Sequence, residues 1–284
     1  LASLQDIRRR IKTVKNIQQI TKAMKMVAAA RLRRAQESAV ANRPYADKMR
    51  QVLSDVAASA GEVSHPLLEV RQDGRRVYVV LASDKGLAGA YSSNVFKEAV
   101  AQVGAKDSAE LITVGRKTRE YFKNRNYKLL EAYEGISERP TFADARRIAG
   151  KIIDLFTKAE CDEVYIIYTR FISAINVIPT TIKLLPFTGV EGEEEKSASG
   201  EYIYEPSAGE VLGYLLPQYI ETMVYAALLQ AAASELGARM TAMSSATDNA
   251  ETLISKLVLN YNKVRQAGIT REITEIVSGA EALK

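Results

Sequence analysis

Residues 83–94, "SDKGLAGAYSSN", follow the β-branched run "RRVYVVLA" and precede a helical stretch. A dinucleotide-binding fold keeps its phosphate loop at such a strand-to-helix turn, which makes Gly86 and Gly89 candidates for cradling phosphate oxygens. The spacing argues against it. GxGxxG is missing, Lys85 precedes its glycine, and Gly115-Arg116-Lys117-Thr118 has the wrong order for a GxxxxGK[ST] loop. A tight turn capped by Ser92, Ser93 or Asn94 accounts for the residues better. His65 is the only histidine and Cys161 the only cysteine, so no zinc constellation and no Ser-His-Asp or Cys-His pair can be assembled. Glu272 and Glu275 are close in sequence, but two carboxylates on an exposed helix turn form a charged surface rather than an acid–base pair. The residues point to no catalytic set, no cofactor, no metal and no direct small-molecule substrate.

Three segments would carry these residues. Residues 1–60 contain no glycine and a single proline, Pro44, and are dominated by Ala, Lys, Arg, Gln and Met, all strong helix formers. They predict one helix of roughly 80 Å. Leu4, Ile7, Ile11 and Val14, and later Leu32, Ala35, Ala39, Asn42, Ala46, Met49, Leu53 and Val56, keep one heptad frame, the pattern of a coiled-coil seam. Between them the frame falls on Gln18, Thr21, Lys25 and Ala28, while the large apolar residues are Ile17, Ile20, Met24 and Val27. The apolar stripe there swings to a neighbouring face and predicts a second contact near Met24.

Residues 75–190 alternate strand-like and helical runs. They predict a Rossmann-like, mostly parallel α/β domain. "INVIPTTIKLLPF" follows "EVYIIYTRF" too closely for a crossover helix, so it should return antiparallel, as an edge strand that tolerates Pro179. "EGEEEKSASG" reads as an acidic surface loop. Residues 207–284 return to helix, of the order of 110 Å if continuous. The two terminal helices flank the α/β domain and are expected to pair antiparallel, the second outlasting the first. Its last turns set Ile269, Ile273, Ile276, Ala280 and Leu283 on one face.

The net charge of +5 hides an asymmetry. Residues 1–50 hold 13 Lys or Arg and 3 Asp or Glu, a local +10 that leaves −5 for the rest, so the first helix suits an anionic partner. Nucleic acid is a poor fit, since no aromatic residue precedes Tyr45 to stack on a base. No apolar run reaches the roughly 20 residues of a membrane span, and a lone cysteine fits a reducing compartment.

"ITKAMKMVAAARLRRAQ" with "NRPYA", then "SDKGLAGAYSSN", "YIYEP", "MTAMSSATDNA" and "YNKVRQAGITREITEIVSGA" together resemble one family, the gamma subunits of the rotary proton-translocating ATP synthase, in its bacterial form. The resemblance spans nearly the whole chain. It implies a non-catalytic rotor in the central stalk: a coiled coil inside a ring of three alpha and three beta subunits, with the α/β domain below on the c-ring and contacting the epsilon subunit. It implies that Met24 and Lys25 meet an acidic lever segment of a beta subunit. Arg239, Arg265, Gln266, Thr270 and Glu275 match positions whose side chains touch the beta subunits, and Tyr204 and Glu205 match the foot on the c-ring. The apolar stripe from Ile269 on would turn in a sleeve at the top of the ring. The expected location is peripheral, on the cytoplasmic face of a bacterial plasma membrane, with the mitochondrial inner membrane as the alternative. A coiled-coil adaptor without a rotary role is the competing reading.

Overall fold

The computed structural model describes residues 3–59, 65–71, 74–104, 109–187, 205 and 207–282. Helix α1 runs Leu4–Ser59 without a break at Pro44. Five strands follow, β1 (Arg76–Leu81), β2 (Ala109–Val114), β3 (Leu129–Tyr133), β4 (Glu163–Phe171) and β5 (Val177–Leu185), with helices α2 (Tyr91–Val103), α3 (Arg116–Lys123) and α4 (Phe142–Thr157) between them. Helix α5, Ala208–Ala282, is the last described element.

The chain packs as two compact units, and both draw on the two long helices: residues up to Val27 with those from Met240, and Ala28–Arg239. In the first unit the helices run antiparallel. Arg8 Nη2 donates to Tyr261 Oη at 2.8 Å, Thr247 Oγ1 donates to Thr21 Oγ1 at 2.8 Å, and Lys25 Nζ donates to Ser244 Oγ at 2.9 Å. The partner number falls as the first rises. Burial follows the heptad frame only in part: Ile7 and Thr21 are buried and Gln18 is half-buried, but Lys25 is exposed, and Ile17, Ile20 and Val27 face outward. A large apolar side chain would force the helices apart at Thr21, whereas the threonine lets them close.

In the second unit the strand order is β3-β2-β1-β4-β5. Strands β1 to β4 pair parallel and β5 returns antiparallel to β4. Pro179 sits opposite Thr169 on that edge strand, where its missing N–H costs no ladder bond. Leu53, Val56, Val79, Ile148, Ile152, Phe156, Leu216 and Val224 pack α1, α4 and α5 on one face of the sheet; Tyr78, Val80, Val95, Phe96 and Phe122 pack α2 and α3 on the other. Helix α4 starts with a reciprocal cap, the Thr141 hydroxyl accepting from the Asp144 amide while Asp144 accepts from the Thr141 amide.

The loops at the carboxyl ends of the strands are pinned by one side chain. Asp84 accepts from the amides of Arg116 at 3.0 Å, Gly135 at 2.9 Å and Ser137 at 3.0 Å. Burial opposes its charge, but these backbone donors outweigh it and hold its carboxyl below the ordinary value of 3.8. Asp84→Asn keeps the shape and places an amide N–H against one of these donors. It is expected to cost about 1–3 kcal/mol. The lowered folded-state value means that the stabilisation is present above pH 3.8 and lost as pH falls through the lower folded value. Urea unfolding across pH 2–7 should therefore show a shallower acid limb in the variant.

Candidate functional site

In an open α/β sheet the ligand crevice lies beyond the carboxyl ends of the strands, where the strand order reverses. Here that place is between β1 and β4, and α5 fills it. Tyr91 Oη donates to the Ala231 carbonyl at 3.2 Å, Ser234 Oγ to the Thr169 carbonyl at 3.0 Å, and the Phe171 amide to Gln230 Oε1 at 2.9 Å. The Gly86 turn also has the wrong polarity for phosphate. Its Lys85 and Gly86 carbonyls face the Arg239 guanidinium, at 3.5 and 3.3 Å, whereas a phosphate loop presents N–H groups. The expected side-chain cap is absent: Ala90 is the N-cap residue of α2, and Ser92 instead shares a 2.6 Å hydrogen bond with Ser83. The turn is set by positive φ at Leu87 and Gly89, which leaves Ser92 inside the helix and too late to cap it.

The remaining chemistry-bearing residues have structural positions. His65 Nδ1 accepts from the Leu67 amide and caps a 3-10 turn, Pro66–Leu68. Burial lowers its pKa, in keeping with the neutral acceptor form. Cys161 is buried, and burial pushes its thiol up to about 11. Among the described residues no group of His, Cys, Asp and Glu could hold a metal ion, and no helix is long and apolar enough to cross a membrane.

The residues that the resemblance sets against partners fall into three places, Arg239 apart. Met24 is half-buried and Lys25 exposed at the turn where Met26 and Val27 also face outward. Arg265, Gln266, Thr270 and Glu275 are all exposed on α5; Glu275 accepts from Arg271 at 2.8 Å, and the Thr270 carbonyl from Thr274. They share a stretch in which every residue from Ile269 to Ala282 is exposed, the apolar Ile273, Ile276 and Val277 included. Glu205 is exposed, and Tyr204 lies outside the described residues.

Arg239 is different, being only 6% exposed. Its guanidinium donates to Glu235 Oε1 at 2.6 Å and to Glu138 Oε1 at 3.2 Å, besides the two turn carbonyls. Glu138 also accepts from Arg31, and from Lys85 at 3.4 Å. Burial pushes the Glu235 carboxyl above its ordinary range, against the pull of Arg239. This network joins residues about a hundred positions apart, and only the i,i+4 spacing of Glu235 and Arg239 signalled any part of it.

The chain pairs two long helices, fills the crevice at its strand ends with one of them and leaves that helix's last described turns exposed, an arrangement suited to a subunit that works through surfaces. The comparisons give it a family. A family model described as ATP synthase matches residues 3–283. The chain is 49% identical over 284 residues to the ATP synthase gamma chain of Desulforamulus reducens, covering all of both, and 48% identical to that of Brevibacillus brevis, covering 98% of each. The Tetrahymena thermophila mitochondrial ATP synthase, solved as its central stalk and c-ring, contains a chain superposing with TM-score 0.61 at 28% identity, over 80% of this chain and 99% of that one. A Euglena gracilis counterpart at 18% identity and TM-score 0.66, over 99% of this chain and 94% of that one, attests the fold. The chain belongs to the ATP synthase gamma-chain family, the members of which are non-catalytic subunits of that enzyme.

Proposed function

We propose that this chain is the rotor of a bacterial ATP synthase, standing in its central stalk and coupling rotation of the proton-driven c-ring to ATP synthesis or hydrolysis at the beta subunits. The observation that carries the proposal is the bare final stretch of α5. Helix α1 begins at Leu4 and Arg8 already pairs with Tyr261, so the apolar face from Ile269 onward has no described partner within the chain. An exposed apolar stripe asks for a surface to turn against or dock on, and a ring of alpha and beta subunits would supply it.

The mechanism is mechanical. A two-helix shaft is not symmetric, so each of three surrounding beta subunits meets a different face and is biased toward a different nucleotide affinity. Turning the shaft exchanges the biases, and the coupling is reciprocal in binding free energy. Met24 and Lys25 act where the outward apolar patch sits in a basic surface, with Lys12, Lys15 and Lys22 all exposed, against an acidic lever. Arg265, Gln266, Thr270 and Glu275 act as polar catches that make shaft angles unequal in energy. Glu205, with Tyr204, meets the c-ring, and the epsilon subunit docks on the α/β domain. The assembly is peripheral, on the cytoplasmic face of the membrane.

Mixed with alpha and beta subunits, the chain is expected to enter a complex at one copy per six larger subunits, weighed by native mass spectrometry. Met24→Lys adds a cation facing the acidic lever, an interaction of up to about 1 kcal/mol, or about fivefold in an equilibrium. It should tighten the contact and lower the protons pumped per ATP hydrolysed, read by vesicle acidification. Unchanged pumping would count against Met24 at the lever. A complex lacking the six larger subunits would favour an adaptor.

A further inference from the structure

Four separate parts of the second unit meet at one carboxylate. Glu138, in the loop between β3 and α4, accepts from Arg31 of α1, from Lys85 of the β1–α2 turn at 3.4 Å and from Arg239 of α5 at 3.2 Å. Its side chain is 14% exposed and that of Arg239 is 7% exposed. The only other anion in the group is Glu235, bonded to Arg239 and 1% exposed. Three cations and two carboxylates therefore share the junction, and Glu138 alone touches all three cations. The neighbouring Ser137 is tied to Asp84 through both its amide and its hydroxyl, so the loop that carries Glu138 is itself anchored to the strand ends.

We propose that Glu138 is a positioning residue: it clamps both long helices to the strand ends of the α/β body, so that a twist entering the helices reaches that body without slack. The clamp is a property of the chain by itself. Its use in passing torque rests on the rotor reading. Arg–carboxylate bonds are directional as well as strong, so they add to the resistance that the packed side chains offer to a helix turning about its own axis. Removing the Glu138 charge frees Arg31 and Lys85, whose side chains are 43% and 63% exposed, to swing into solvent and leaves Arg239 tied to Glu235 by itself, so the junction loosens.

The test uses the full chain with spin labels on cysteines replacing Arg33 of α1 and Lys97 of α2, both exposed. Cys161 is buried with its thiol pushed up to about 11 and does not compete for label. Glu138→Gln is expected to broaden the label-to-label distance distribution about twofold, because the cations left behind reorient, and Glu138→Asp to restore most of the narrow width. Should Glu138→Gln fail to fold, Arg31→Gln opens the same junction from its exposed end, with a smaller broadening expected. An unchanged width in whichever variant folds overturns the clamp, even if the melting temperature falls, since lost stability alone does not loosen the native state. In a turning complex, a bead on the α/β domain should show a wider angular spread within each dwell for Glu138→Gln. If the parent complex does not turn, the rotor reading fails and the spin-label widths still decide the clamp.

Discussion

Gly115→Ala is expected to cost at least about 3 kcal/mol, and the yield of folded chain should fall with it. Gly115 follows β2 with φ +97°, and a Cβ built there would lie 2.4 Å from the Ala82 carbonyl oxygen and 2.9 Å from the carbonyl carbons of Ala82 and Ser83. All three are backbone atoms, so no side-chain rotation relieves the clash. The surroundings cannot retreat either. The Gly115 amide donates to the Tyr133 carbonyl at 2.8 Å, the Lys117 amide to the Ser83 carbonyl at 3.0 Å, and the Ala82 amide to the Val114 carbonyl at 3.0 Å. These bonds fix the ends of β1, β2 and β3 at the place where Asp84 and the Glu138 loop are anchored. Gly86→Ala is the control, since its Cβ would meet nothing within 4 Å. Chemical denaturation of the full chain should separate the two variants, and a Gly115→Ala chain as stable as its parent would refute the packing described here.

The second large effect is expected of Arg239→Ala. Glu235 loses its one cation and Glu138 loses the innermost of three, and breaking a buried pair from one side costs about 3–5 kcal/mol. The loss should depend on pH. Burial already raises the folded-state Glu235 carboxyl above its ordinary 4.5, and without Arg239 it rises further. A raised carboxyl binds more protons folded than unfolded, so its penalty is absent below about pH 4.5 and grows as pH rises toward the folded value. The variant should recover part of its stability between pH 7 and pH 5, where the parent changes less. Arg239→Lys should rescue little, because one ammonium cannot reach two carboxylates and two carbonyls in the directions a guanidinium does. A flat pH profile would mean that Glu235 is not the carboxylate left without its cation.

Most of the architecture was legible in local pattern. The run "RVYVVL" became β1, and the short connection after Phe171 required the antiparallel return of β5. The swing of the apolar stripe near Met24 was legible too: Thr21 stays buried on the frame, while Lys25 on the same frame and the apolar Ile17, Ile20 and Val27 are exposed. The side of α5 that Arg239 occupies was not legible. A helix with Ala, Ser and Gly over most of its circumference does not disclose which face a sheet will take, and the sheet took the face bearing Glu235 and Arg239. Family resemblance set Arg239 among the residues that touch the beta subunits, and what the sequence did not disclose is that the fold also gives its guanidinium four partners within the chain. Glu138 left no trace in the sequence, since Arg31 and Arg239 lie 107 and 101 residues away and only the folded loops bring them together. The glycine spacing ruled out a phosphate loop at Gly86 correctly, but the cap expected of Ser92, Ser93 or Asn94 failed, because positive φ at Leu87 and Gly89 makes Ala90 the N-cap of α2.

The most direct measurement of the central claim fixes the beta subunits of a reconstituted complex to glass, attaches a bead to the α/β domain of this chain and supplies ATP. Unidirectional rotation in three equivalent steps is the predicted result. An assembled, ATP-hydrolysing complex whose bead stays still would contradict the rotor account and leave the chain a static scaffold.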